Sequence, residues 1–190
     1  MFKIISEKVH LISQGWVTVL SILIMVLFMI IVLPNQSEKS RAETGSSRSP
    51  DTSFFYTPEE LYQMADDYGQ EGRQAYIRSR WTFDLVFPLV YVFFLTVGIS
   101  WFYRFSAHWN QFWKFGNLLP VLGGVFDYLE NGAATLLMHY FPTRLTGLAQ
   151  VSVFFTVTKW GLIFLSFLAY FILGIGSLYA WIKHKLLTKQ

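Results

Sequence analysis

Residues 16–33 read WVTVLSILIMVLFMIIVL, eighteen positions without a charge. A helix needs roughly 20 apolar residues, at ~1.5 Å of rise each, to cross a hydrocarbon core of ~30 Å. Lys3 and Lys8 precede the block, and Pro34 is expected to end it. The block exceeds the apolar region of a signal peptide, and Asn35-Gln36-Ser37-Glu38-Lys39 offers no small-residue cleavage site. It therefore reads as an uncleaved first membrane helix.

Working outward, three further apolar blocks occupy residues 81–103, 118–141 and 148–182. The last would be ~50 Å long as a helix, well over a membrane's thickness, so it must tilt, bend or extend beyond the bilayer. The pattern predicts an all-α membrane protein: a four-transmembrane-helix bundle with a short extracytoplasmic amphipathic helical segment between helices 1 and 2. Composition agrees, since 53% of the 190 residues are hydrophobic and only 14% are charged. Soluble domains carry about 25% charged residues.

Basic residues near the membrane orient such a chain. Lys3, Lys8, Arg104, Lys114, Lys183, Lys185 and Lys189 flank one side against a single acid, Glu7. The 34–80 stretch carries six bases against eight acids. The expectation is a multi-pass protein of the cytoplasmic (inner or plasma) membrane, with residues 1–15, 104–117 and 183–190 cytoplasmic. Residues 142–147 form an outer turn.

The outer stretch divides in two. Residues 34–53, rich in Ser, Glu and Arg with two prolines, are too polar to bury a core and read as a disordered tether. Residues 54–80 change character. Thr57-Pro58-Glu59-Glu60 supplies an N-cap, a proline at the first helical position and the acid of a capping box. Leu61, Met64 and Tyr68 then recur at helical spacing, with Gly69 and Gly72 interrupting the run. Phe54, Phe55, Tyr56, Tyr62, Tyr68 and Tyr76 make this segment aromatic on one side, suited to lie on the membrane surface or to cover the bundle. On the opposite membrane face, Phe105, Trp109, Phe112 and Trp113 read as an interfacial belt.

Function is carried by the charges inside the apolar blocks: Asp84, Asp127, Glu130 and Lys159. Each costs roughly 2.5–3.5 kcal/mol to insert, and such residues usually turn inward toward a partner. Helical spacing gives them a common inner face. Gly123, Asp127, Glu130, Asn131 and Ala134 align on the third helix; Ser152, Thr156, Lys159, Ser166, Tyr170 and Ser177 align on the fourth. On the second, Asp84, Pro88, Tyr91, Leu95 and Gly98 align, and Pro88 lacks the amide that would bond the Asp84 carbonyl. By rise along each helix Glu130 and Lys159 fall near midplane and Asp84 near the outer boundary, so a shared site should open outward. Three acids against one lysine call for a proton or a further cation. Arg73, Arg78, Arg80, His139 and Arg144 are the candidates, and an arginine delivered onto Asp84 is expected.

The chemistry this permits is acid–base work by Asp127 and Glu130, with Lys159 stabilising developing negative charge. Asp84, Tyr91, Asn131, Arg73, Arg80 and Tyr76 would bind substrate. The plainer reading is that a Glu130–Lys159 pair fixes helix register, and that Asp84 is a helix-start acid favoured by the dipole. Cysteine is absent, which removes thiol and disulfide chemistry. No HExxH, phosphate loop or GxSxG motif occurs, so no metal and no cofactor is expected, and nucleic acid is not an expected partner. Three functional classes remain. One binds or transforms a lipid-soluble substrate from the outer side. The others are a non-catalytic partner subunit of a membrane complex and a proton- or ion-coupled transporter subunit, in which membrane lipid, a second copy or a complex partner is engaged.

Overall fold

A computed structural model describes residues 2–105 and 111–187 of the chain. Among these the chain is all-helical, with 89% helix and no strand. Eight α-helices follow in order: α1 (Phe2–Ile12), α2 (Gly15–Leu27), α3 (Leu33–Thr44), α4 (Pro58–Asp67), α5 (Gly69–Arg80), α6 (Phe83–Phe105), α7 (Leu119–Tyr140) and α8 (Thr146–Leu187). Among the described residues three helical stretches are long and apolar enough to cross a membrane: Gly15–Thr44, Gly69–Phe105 and Thr146–Leu187. At 22 residues α7 is long enough, but Asp127, Glu130 and Asn131 dilute its hydropathy. The 42 residues of α8 extend over about 60 Å at ~1.5 Å each, longer than the sequence blocks suggest.

The structure differs from the sequence expectation at the first helix. Pro34 does not end it, and residues 34–44 of the expected tether are helical. A π-helical turn, Phe28–Val32, leads directly into α3, with Pro34 in its first turn. The wider π turn relieves the clash between a proline ring and the carbonyl one turn earlier, so the helix continues. α3 ends at Gly45, whose φ of 67° suits a left-handed cap and whose amide returns to the Arg41 carbonyl. Residues 50–52 then form a 3₁₀ turn.

The chain forms two compact units. One comprises Met1–Met25, Val90–Leu122 and Leu162–Gln190. Its apolar centre is Ile99, Ala169 and Leu173, with Phe102, Tyr103, Trp113 and Tyr170 around them. Polar residues bind α1 to this unit: Ser6 donates to Asn117 Oδ1 (3.0 Å), and Asn117 Nδ2 donates to Ser100 Oγ (3.0 Å). The expected aromatic belt is altered here. Residues 111–118 are a 3₁₀ helix rather than an α-helical face, Trp113 packs toward the core and Phe105 is exposed. Trp109 and the side chain of Phe112 lie outside the described residues.

The second unit comprises Val26–Leu89 and Gly123–Gly161. The capping box forms as read: Thr57 Oγ1 accepts from the Glu60 amide while Glu60 accepts from the Thr57 amide. α4 breaks from α5 at Gly69, where φ is 61°, whereas Gly72 sits inside α5 and lets it approach Thr44 of α3. Gln36 of α3 donates to Ser79 of α5 (2.8 Å). The periodic face is buried as expected: Tyr56, Leu61, Met64, Tyr68 and Tyr76 pack with Ala134, Leu137, Met138 and Ala149. Phe54 and Phe55 point outward instead, 70% and 65% exposed.

Candidate functional site

The charged residues of the second unit converge. Asp127 and Glu130 lie one turn apart on α7, and Lys159 faces them from α8. The Lys159 ammonium contacts a Glu130 carboxylate oxygen and lies 3.8 Å from Asp127 Oδ1. The Lys159 and Glu130 side chains retain only 5% and 1% of their accessible surface, so neither partner is solvated. The second Glu130 oxygen accepts from Thr156 Oγ1 at 2.6 Å. Above that pair lies Tyr56, whose hydroxyl is 2.9 Å from Thr156 Oγ1 and 3.1 Å from Ser152 Oγ. Thr156 has one proton, and its short bond to the carboxylate uses it, so Tyr56 donates to Thr156. Burial first, and the Glu130 charge second, push the Tyr56 phenol up to about 12, which keeps it a neutral donor. The resulting chain runs Tyr56, Thr156, Glu130, Lys159, Asp127.

A second centre forms around Arg80, at the end of α5. Its guanidinium contacts Asp51 Oδ1 and Asp84 Oδ2, the latter at 2.7 Å. It also donates to Asn131 Oδ1 (3.3 Å) and stacks over the Tyr76 ring at 4.6 Å. Tyr76 in turn donates to Asp51 (3.1 Å). The carbonyl freed by Pro88 is used: Asn131 Nδ2 donates to the Asp84 carbonyl at 3.3 Å. Asn131 follows Glu130 on α7, so adjacent residues join the two centres. Together they set four carboxylates (Asp51, Asp84, Asp127 and Glu130) against two cations.

The arginine expected on Asp84 is thus Arg80, and the structure gathers Asp84, Asp127, Glu130, Asn131, Lys159, Arg80 and Tyr76. Arg73 is elsewhere, donating to the Ala65 carbonyl (2.8 Å) and lying over the Phe141 ring. Arg144 lies over Tyr62, and His139 packs against Tyr140. Tyr91 is buried on the part of α6 that belongs to the other unit. Asp84 is more than a dipole-favoured acid, because its carboxylate is buried and paired.

Asp51 is not among the site residues the sequence suggests, because its surroundings look disordered, and the sequence marks Tyr56 only as one aromatic of the cover. A local signal was present in Ser49-Pro50-Asp51: the Ser49 hydroxyl caps the 3₁₀ turn and bonds the Asp51 carboxylate at 2.7 Å. That turn aims Asp51 at Arg80. Among the described residues no group of three or more metal-ligating side chains occurs. No family model matches the chain, and neither the curated proteins nor the solved structures yield a match.

Proposed function

We propose that this is a four-span membrane protein whose buried Asp/Glu/Lys/Arg network binds, and through Asp127 and Glu130 transforms, the polar end of a lipid-soluble substrate entering from the outer leaflet. In this reading α2, α6, α7 and α8 cross the membrane. α7 does so despite its acids because Lys159, Thr156 and Arg80 engage their polar groups. Both termini are cytoplasmic by the distribution of lysine and arginine, and residues 45–80 are the outer cover.

The observation that carries the reading is the Lys159–Glu130–Asp127 cluster on apolar helices, roofed by Tyr56. A register-fixing pair requires one acid and one base. Here four acids meet two bases, and a hydrogen-bonded chain leads from Tyr56 to the inner carboxylates. Such an excess suits a substrate with a hydroxyl or amine, and carboxylates in apolar surroundings are the usual means of acid–base work inside a bilayer.

The test is extraction of the protein into lipid nanodiscs from its own membrane, with mass spectrometry of retained lipid. A specific lipid, or its conversion product, should accompany the native chain and be lost from Glu130→Gln, while the lipid-facing Val157→Ala keeps it. Folded Glu130→Gln and native protein with indistinguishable lipid content would remove the reading. The adjacent, outward Phe54 and Phe55 favour a second one, a partner subunit that docks another membrane protein by its outer segment. Co-purification lost in a Phe54→Ser/Phe55→Ser chain, with lipid content unchanged, would favour it.

A further inference from the structure

The amphipathic helix α1 is built the wrong way round for a helix packed on a protein core. Ser6 and Ser13 are fully buried, and His10 is held with Nδ1 3.3 Å from the Ser100 carbonyl and Nε2 3.1 Å from the Lys114 carbonyl. Glu7 pairs with Lys114 at 3.1 Å, and the Arg104 guanidinium contacts the His10 carbonyl at the helix end. The polar face is therefore the docked one. The apolar face looks outward: Ile4 is 59% exposed, Leu11 72% and Ile12 63%, with Ile5 beside them. At 100° per residue these four lie within about a third of the helix circumference, and exposed Lys8 falls in their middle.

We propose that this face of α1 is a docking surface for an anionic phospholipid monolayer, with the helix lying in the interface and Lys8 engaging lipid phosphate. Two features select lipid as the occupant. The face is followed directly in sequence by the first span, whose most apolar window is only 17% buried and which begins three residues after α1. Trp16 stands exposed at that junction, its indole nitrogen bonded to Gln14, in the position where tryptophan marks a membrane boundary. Charge selects the headgroup. A lysine centred in an apolar stripe reaches out of the hydrocarbon along its own stem, and what it meets at that depth is phosphate. The proposal is independent of the acidic network, since it concerns only α1 and the start of α2.

The natural absence of cysteine makes the test direct. A single Leu11→Cys, and separately Ile4→Cys, is labelled with an environment-sensitive fluorophore and the full chain reconstituted in vesicles. Brominated phosphatidylglycerol should quench both labels, about five-fold more effectively than brominated phosphatidylcholine, the preference expected of one lysine at an anionic surface. Lys8→Gln should bring the two lipids toward parity. Equal quenching by the two lipids, unchanged by Lys8→Gln, would overturn the anionic assignment. Labels quenched by aqueous iodide but not by lipid, or shielded from both by a second copy or another protein, would overturn the docking surface itself.

Discussion

Replacing Lys159 with methionine keeps the length and apolar volume of the side chain and removes its charge. Glu130 then remains buried on α7 without the ammonium, holding its Thr156 bond, and Asp127 loses the same cation from 3.8 Å. Removing one member of a buried ion pair costs about 3–5 kcal/mol. The side chains are 5% and 1% exposed, so solvent screening takes little from that figure. Glu130→Gln alone leaves Lys159 facing a neutral amide oxygen, with the Asp127 carboxylate still at 3.8 Å, a smaller loss. The double replacement removes both unpaired charges of the close pair, so the two losses should fail to add by about 1–3 kcal/mol. Reversible unfolding of the four proteins in mixed micelles, followed by tryptophan fluorescence and circular dichroism, measures this cycle. The outward Phe164→Leu, 69% exposed, should shift the midpoint little. A Lys159→Met loss under about 1 kcal/mol, the worth of an exposed pair, or strict additivity in the double variant, would refute a buried and coupled cluster.

Asn131→Leu should cost about 1–3 kcal/mol by stranding the Asp84 carbonyl and a donor of Arg80. Part of that loss should vanish in a Pro88→Ala background, where a helix amide again reaches the carbonyl; the same unfolding assay reads both. Gly98→Ala should destabilise by about 1–3 kcal/mol because its methyl would overlap the Tyr170 ring. Gly174→Ala, with only Phe102 at 3.5 Å, should be nearly neutral by thermal unfolding. Burial, with Lys114 and Arg104 nearby, lowers the pKa of His10 from 6.5, against the opposing pull of the two carbonyls. A neutral His10 therefore supports docking of α1 above pH 6.5, and this support is lost as pH falls through the depressed value. Protection of the α1 amides from hydrogen exchange, taken relative to their intrinsic rates at each pH, should fall on acidification in the native chain, and His10→Gln should flatten that fall. Glu60 behaves likewise: amide bonding from Thr57 holds its carboxyl below 4.5. The capping box therefore persists above that pH and opens below the depressed value, an acid limb that Glu60→Gln should abolish in α4 exchange.

Much of this protein is written in local pattern. A charge-free block of eighteen residues specifies a helix apolar enough to cross a membrane, because a helix satisfies its backbone within the segment itself. The capping box at Thr57 and Glu60 and the buried stripe of Ser152, Thr156, Lys159 and Ser166 are equally local, set by the 3.6-residue turn. Pro88 beside Asp84 announced a free carbonyl. Tertiary structure decided what composition could not. Residues 34–44 are polar enough to read as disordered, yet they are helical, carried past Pro34 by a π turn and held on α5 through Gly72 and Ser79. Asp51 reaches Arg80 from twenty-nine residues away, and Tyr56 reaches Thr156 across a hundred. No periodicity encodes such pairings, because they depend on where separate helices come to rest. The sequence by itself determined which helices carry charge and toward which face; only the packed chain determined that Asp51 and Tyr56 join that charge and that acids outnumber bases there two to one.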